Sequence, residues 1–114
     1  MRYMLMICSP ESHYAGMSES DEAALMEAYG KFHGELEAAG KMVDGNRLQP
    51  TPTATCVQVR DGKTLTTDGP FAETKEQMGG YYLIEAEDLD EALAWAAKIP
   101  SASYGTVEVR PVWQ

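Results

Sequence analysis

Apolar residues fill nearly every position of Arg2-Tyr-Met-Leu-Met-Ile-Cys8, a run that Ser9-Pro10 closes. A short unbroken run bounded by turn residues predicts a strand buried on both faces, and so a central one. The pattern recurs at Tyr81-Tyr-Leu-Ile-Glu-Ala86, which predicts a second central strand. Between the two the period changes. From about Glu19 to Ala39, the residues Leu25, Tyr29, Phe32, Leu36 and Ala39 recur at spacings of four, three, four and three, which places them on one helical stripe. Ser18 with Asp21 approximates a capping box at the start, and Gly40 ends the helix. The segment from Ser9 to about Met17 reads as a loop.

Met42 to Leu48 carries a weaker strand pattern, with Asp44-Gly45 marking a bulge or bend. Ala54 to Arg60 alternates with Val57 and Val59 on one face, and Asp61-Gly62 has type I′ turn chemistry, so the chain returns through Lys63 to Thr67 as a hairpin. Asp88 caps a helix whose stripe is Leu89, Ala92, Leu93, Ala96 and Ala97, stopped at Ile99-Pro100. Thr106 to Trp113 is a last strand, and its proline suits an edge or terminal position. The order β-α-β-(hairpin)-β-α-β predicts one domain over residues 1–114, an α+β, ferredoxin-like sandwich with two helices on one face of an antiparallel sheet. The first strand gives Tyr3, Leu5 and Ile7 to one face and Met4, Met6 and Cys8 to the other. One apolar face then lacks a cover, and a homodimer that buries it is expected.

Composition narrows the partners. With 18 acidic against 9 basic residues the formal net charge is -9 and the pI about 4.5. Such a field opposes phosphate backbones and anionic lipid, so neither nucleic acid nor membrane is expected as a partner. The run Tyr3 to Cys8 is far shorter than the roughly 20 residues of a membrane helix, and a cytoplasmic location is expected. Cys8 and Cys56 lie in predicted strands without neighbouring cysteines or histidines, which favours buried thiols over a disulfide or zinc site. His13, Glu11 and Tyr14 lack metal-site spacing. No phosphate-binding glycine loop, nucleophile elbow or Cys-x-x-Cys occurs, so no cofactor is expected.

Candidate chemistry concentrates at two places. The run Asp68-Gly-Pro-Phe-Ala-Glu-Thr-Lys-Glu-Gln-Met-Gly-Gly80 gathers charges, a proline, three glycines and one aromatic ahead of a strand. As a site, Asp68 would act as base or hydroxyl acceptor, Lys75 would steer an anion and Phe71 would wall a cavity. As structure, the same residues make a turn, a core plug and a solvated rim. On the first helix, His33 stands about 65° from the centre of the apolar stripe, with Gly30 and Gly34 on its outer side. Two interior glycines cost about 1 kcal/mol each against alanine, a cost easier to understand if something approaches the helix there. Arg47 is available to pair with an acid of the loop or to bind an anion. Tyr29 and Tyr82 complete the expected walls.

These residues also carry a resemblance. Tyr3-Met4-Leu5, Gly45-x-Arg47-Leu48, Asp61-Gly62, Asp68 to Glu76, Gly79-Gly80-Tyr-Tyr-Leu-Ile84, Asp88-Leu-Asp-Glu-Ala92 and Gly105-x-Val-Glu-Val-Arg-Pro111 make the chain similar, almost end to end, to the DGPF branch of the YCII-related proteins. The resemblance implies a small bacterial protein forming a dimeric α+β barrel, often encoded beside or fused to extracytoplasmic-function sigma factors. Other members carry a histidine eleven residues before the glycine ending the first helix, and an aspartate before a proline ending the second, proposed together as a catalytic pair. The same count here lands on Tyr29 and on Ile99, so no His-Asp dyad carries over. The expected function is a small-molecule site, with turnover left open, in a cavity bordered by the Asp68–Gly80 loop and the first helix, with Asp68 and His33 as polar actors. The alternative is a non-enzymatic interaction module for a sigma factor.

Overall fold

In the computed structural model, which describes residues 1–114, β1 (Arg2–Ser9) and β5 (Gln77–Glu85) run antiparallel at the centre of a four-stranded sheet. β2 (Met42–Arg47) pairs with the outer side of β5, and β6 (Thr106–Pro111) with the outer side of β1. The two apolar runs are thus the central strands, and the proline-bearing strand is an edge. The arrangement is α+β, antiparallel throughout and compatible with a ferredoxin-like fold.

Strand alternation assigns the two faces. Tyr3, Leu5 and Ile7 stand opposite Ile84, Tyr82 and Gly80 of β5 and Pro111, Val109 and Val107 of β6. This face packs under α2 (Glu19–Ala38) and α3 (Leu89–Ala97), where Phe32, Leu36, Ala92, Ala96 and Ile99 close the core. Fully buried leucines such as Leu5 and Leu36 each contribute about 1.5–3 kcal/mol. On the other face Met4 meets Leu83 and Met6 meets Tyr81, between Glu108 and Arg110 on β6 and Asp44 and Asn46 on β2. No helix covers that side, and both methionines stay half-buried.

Several local expectations change. The segment expected as a loop holds a short helix, α1 (Glu11–Ala15). In α3 the buried face is Ala92 and Ala96 with Trp95 beside them, while Leu89 and Leu93 are half exposed. The helix is rotated because the broad Trp95 ring takes the contact with Phe32, at 6.2 Å between centroids. The hairpin forms as β3 (Thr55–Arg60) and β4 (Lys63–Asp68), with Asp61 and Gly62 both at positive φ as a type I′ turn requires. It pairs only with itself and projects as an arm, leaving Val57 61% exposed. Cys8 and Cys56 are free and half-buried.

Gly105 sets how closely β6 approaches β1. A Cβ there would overlap the Cys8 carbonyl oxygen and come within 2.8 Å of the Ser9 Cβ. Gly30 and Gly34, by contrast, face open space, so within the protomer nothing approaches α2 at its outer side. Gly105→Ala is therefore expected to destabilise the fold by about 1–3 kcal/mol, while Gly30→Ala and Gly34→Ala should each stabilise it by up to about 1 kcal/mol. Urea unfolding measures all three. Unchanged stability in the first, or losses in the other two, would show the packing to be otherwise.

Candidate functional site

A cavity of about 790 Å³ opens on the helix side of the sheet, within the size range of small-molecule sites. Its apolar wall comes from Leu25 and Met26 of α2, with Tyr29 and His33 of the same helix face and Tyr82 of β5. Arg47, at the end of β2, and the segment Leu48–Pro50 form the other side. The position follows from the stripe of α2. Phe32 and Leu36 anchor its C-terminal half in the core, while the N-terminal half, with Leu25 only half-buried, stands off from the sheet.

Ser9 and Tyr14 line the inner end, backed by Ser101 and Tyr104. The Tyr14 hydroxyl lies 2.8 Å from Ser9 Oγ, 3.0 Å from the Tyr104 hydroxyl and 3.5 Å from Ser101 Oγ. Ser101 Oγ in turn lies 2.5 Å from the Tyr29 hydroxyl and 3.1 Å from that of Tyr104. Both serines are almost wholly buried, so their hydroxyls must find partners within the protein. Each member has a separate structural cause. Ser9 ends β1 on its core-facing side, α1 turns Tyr14 back over it, and the 3-10 turn Pro100–Ser103 delivers Ser101. The close approach at Gly105 brings Tyr104 alongside, where the His13 ring stacks on it at 3.9 Å.

The cluster separates the phenols electrostatically. Burial opposes ionisation of Tyr14, but the hydroxyls of Ser101, Ser9 and Tyr104 together with the Arg47 charge outweigh it, and the phenol is held below its ordinary range. Tyr104 is pushed up to about 12, by burial first and then by its bond to Tyr14 and the charges of Tyr14 and Tyr29, against the Ser101 hydrogen bond. Burial also raises Tyr29, with a further push from Tyr14, although Ser101 and Arg47 pull the other way. Tyr82 is raised by burial and then by Tyr29. Tyr14 is thus the phenol of this group that ionises first.

The residues expected from sequence divide. Tyr29, His33, Arg47 and Tyr82 all line the cavity. The His33 Nε2 lies 2.8 Å from Glu37 Oε1, and its ring faces Tyr82 at 6.2 Å. Arg47 has no carboxylate partner; its Nη1 contacts the Met26 sulfur at 3.9 Å. Asp68, Phe71 and Lys75 do not line this cavity. Asp68 ends the arm opposite Thr55, and Phe71 is 83% exposed, neither a core plug nor a wall within the protomer. The cause is the arm itself, which carries the first half of the Asp68–Gly80 loop away from the sheet. Only the end of the loop returns, where Gln77, Gly79 and Gly80 border the cavity and Gln77 Oε1 accepts from the Glu11 amide at 2.9 Å. Glu11 is otherwise held by Thr51, whose amide donates at 2.8 Å, so it is no partner for His13. Ser9, Tyr14, Ser101 and Tyr104 escape sequence reading because no spacing links them. Their one shared signal is that each stands at or beside the end of an element.

A family model of the YCII-related domain matches residues 1–114 of this chain. An uncharacterized protein of Rhizobium meliloti (strain 1021) is 38% identical to it over 114 residues, covering 98% of this chain and 92% of its own length.

The raised phenols give a pH dependence of stability. A group whose pKa is higher folded than unfolded stabilises the fold below its unfolded value and loses that contribution as pH climbs through the folded value. For Tyr104 the window runs from its ordinary value near 10 to about 12, and Tyr29 and Tyr82 act in the same direction. Tyr14, shifted oppositely, offsets part of this. Urea-unfolding free energies are therefore expected to fall between pH 10 and 12, and less steeply in Tyr104→Phe. An identical slope in the variant would contradict the assignment.

Proposed function

The chain belongs to the YCII-related family, and from that membership and the geometry of its cavity we propose that it works as a homodimer in which each protomer binds a small organic anion with an apolar body. The observation that carries this reading is Arg47, a guanidinium without a carboxylate partner on the wall of a cavity that Leu25, Met26 and Tyr82 also line and whose one carboxylate, Glu11, is held by Thr51. Arg47 is solvent-exposed, and an anion reaching it gains charge-assisted hydrogen bonds from its guanidinium. The apolar wall supplies the remaining free energy and selects against small hydrophilic anions.

Dimerisation is supported by area. The protomer exposes 7827 Å², whereas a folded monomer of 12.5 kDa exposes about 6,200 Å². Its radius of gyration of 16.1 Å likewise exceeds the roughly 13 Å of a compact chain of this length. The arm, with Val57 61% and Val59 59% exposed, and the bare sheet face, with Met4, Met6, Tyr81 and Leu83 half-buried, are the surfaces available to a partner. A partner covering about 800 Å² per protomer makes a standard interface. Two sheets packed through these faces form an α+β barrel, with both cavities left on the outside under the helices.

Light scattering at micromolar concentration is expected to give twice the protomer mass, and Leu83→Glu should weaken the dimer by about 2 kcal/mol or more. A monomer at that concentration would contradict the interface. For the cavity, screening small aromatic carboxylates by thermal melting should find ligands that stabilise the wild type, by about 2.7 kcal/mol at a hundredfold excess over Kd, and much less so Arg47→Ala. Equal responses in the two proteins would remove Arg47 from the site.

A further inference from the structure

We propose that Tyr14 is the acid-base residue of this cavity, moving a proton to and from the carbon beside the carbonyl of a 2-oxo acid with an apolar body, whose carboxylate rests on Arg47. The inference rests on the anion-binding reading above and adds a reaction to it.

The hydroxyl cluster is arranged to hold Tyr14 as a phenolate. Five hydroxyls meet there, and if Tyr14 gives up its proton the other four hydrogens still find acceptors inside the cluster. Ser9, Tyr104 and Ser101 donate to the Tyr14 oxygen, at 2.8, 3.0 and 3.5 Å, and Tyr29 donates to Ser101 at 2.5 Å. Preorganised donors around an oxyanion cost no reorganisation when the charge forms. Ser101 and Tyr104 do not line the cavity and act as positioning residues, whereas Tyr14 lines it. The depressed ionisation of the Tyr14 phenol points the same way. Other charged groups near the site leave Tyr14 this role. Glu11 is bound by Thr51, His33 is paired with Glu37, and the Arg47 charge favours ionisation of both Tyr14 and Tyr29. The His13 ring stacks on Tyr104 behind the cluster.

The step balances without a co-reactant. The Tyr14 oxygen forms an O–H bond to the proton of the substrate carbon. The C–H electron pair becomes the new C=C bond, and the carbonyl π pair moves to oxygen as an enolate beside the Arg47 cation. Tyr14 then returns its proton to the enolate oxygen, giving the enol and restoring the phenolate. Reversal with a solvent-exchanged proton replaces the carbon-bound hydrogen. Nothing is oxidised or reduced.

Phenylpyruvate is a suitable probe, since it combines a carboxylate, an aromatic body and an enolisable methylene. Exchange of that methylene in D2O, followed by proton NMR, is expected to run faster with the protein than in buffer alone. Tyr14→Phe should lower the protein-catalysed rate at least about 100-fold, the usual share of acid-base catalysis. Tyr104→Phe keeps the Tyr14 phenol but removes one of its donors, so the pH-rate profile should retain its plateau with the inflection moved to higher pH. That shift is one a merely structural role would not produce, and it remains readable if Tyr14→Phe fails to fold. Amide shifts of cavity residues report binding separately. Binding without exchange above buffer, or exchange equal in wild type and Tyr14→Phe, overturns the acid-base role and leaves the anion site standing. Absence of any Arg47-dependent binding overturns both.

Discussion

A hydroxyl cut off from water must be hydrogen-bonded inside the protein or cost about 1–3 kcal/mol, and Ser101, 1% exposed, meets that demand with three tyrosines from different parts of the chain. Tyr29 reaches it from α2, Tyr14 from α1 and Tyr104 from the turn into β6. The same contacts therefore fix the end of β1, the standing of α2 over the sheet and the back wall of the cavity. Loosening any one removes a hydrogen bond from this buried hydroxyl. Fold and candidate site share this cluster, so substitutions there act on stability and on site geometry together.

The second constraint is that a sheet has two faces and this chain supplies helices for one. On the covered side the core forms from Tyr3, Leu5, Ile7 and Ile84 with Phe32 and Leu36, and the cavity opens where α2 stands off from the sheet. On the bare side Met4, Met6 and Leu83 lie half-buried with no helix over them, and the β3–β4 arm extends without a larger sheet to join. The division leaves the bare sheet face and the cavity on opposite sides of the sheet.

Much of the fold was legible in the chain because periodicity reports burial directly. The runs at Tyr3–Cys8 and Tyr81–Ala86 predicted central strands, and Asp61-Gly62 named its own turn. What periodicity does not report is which of two apolar faces wins when helices are short. In α3 the Trp95 ring displaced Leu89 and Leu93 from the core, a packing outcome set by the position of Phe32. Nor does local patterning say where a hairpin goes, so the arm carried Asp68 and Phe71 away from the cavity that the sequence assigned them to border. The lining residues read from the chain, Tyr29, His33, Arg47 and Tyr82, came from helix phase and strand position. Ser9, Tyr14, Ser101 and Tyr104 meet only through tertiary packing and had no signature to read.

A crystal structure grown with a small aromatic carboxylate tests the central claim, that this cavity is a built anion site, most directly. The expected result is a carboxylate against Arg47, its ring between Met26 and Tyr82, and the Tyr14 hydroxyl within hydrogen-bonding distance of the ligand. A cavity filled by protein side chains, with the carboxylate bound elsewhere or not at all, would contradict it.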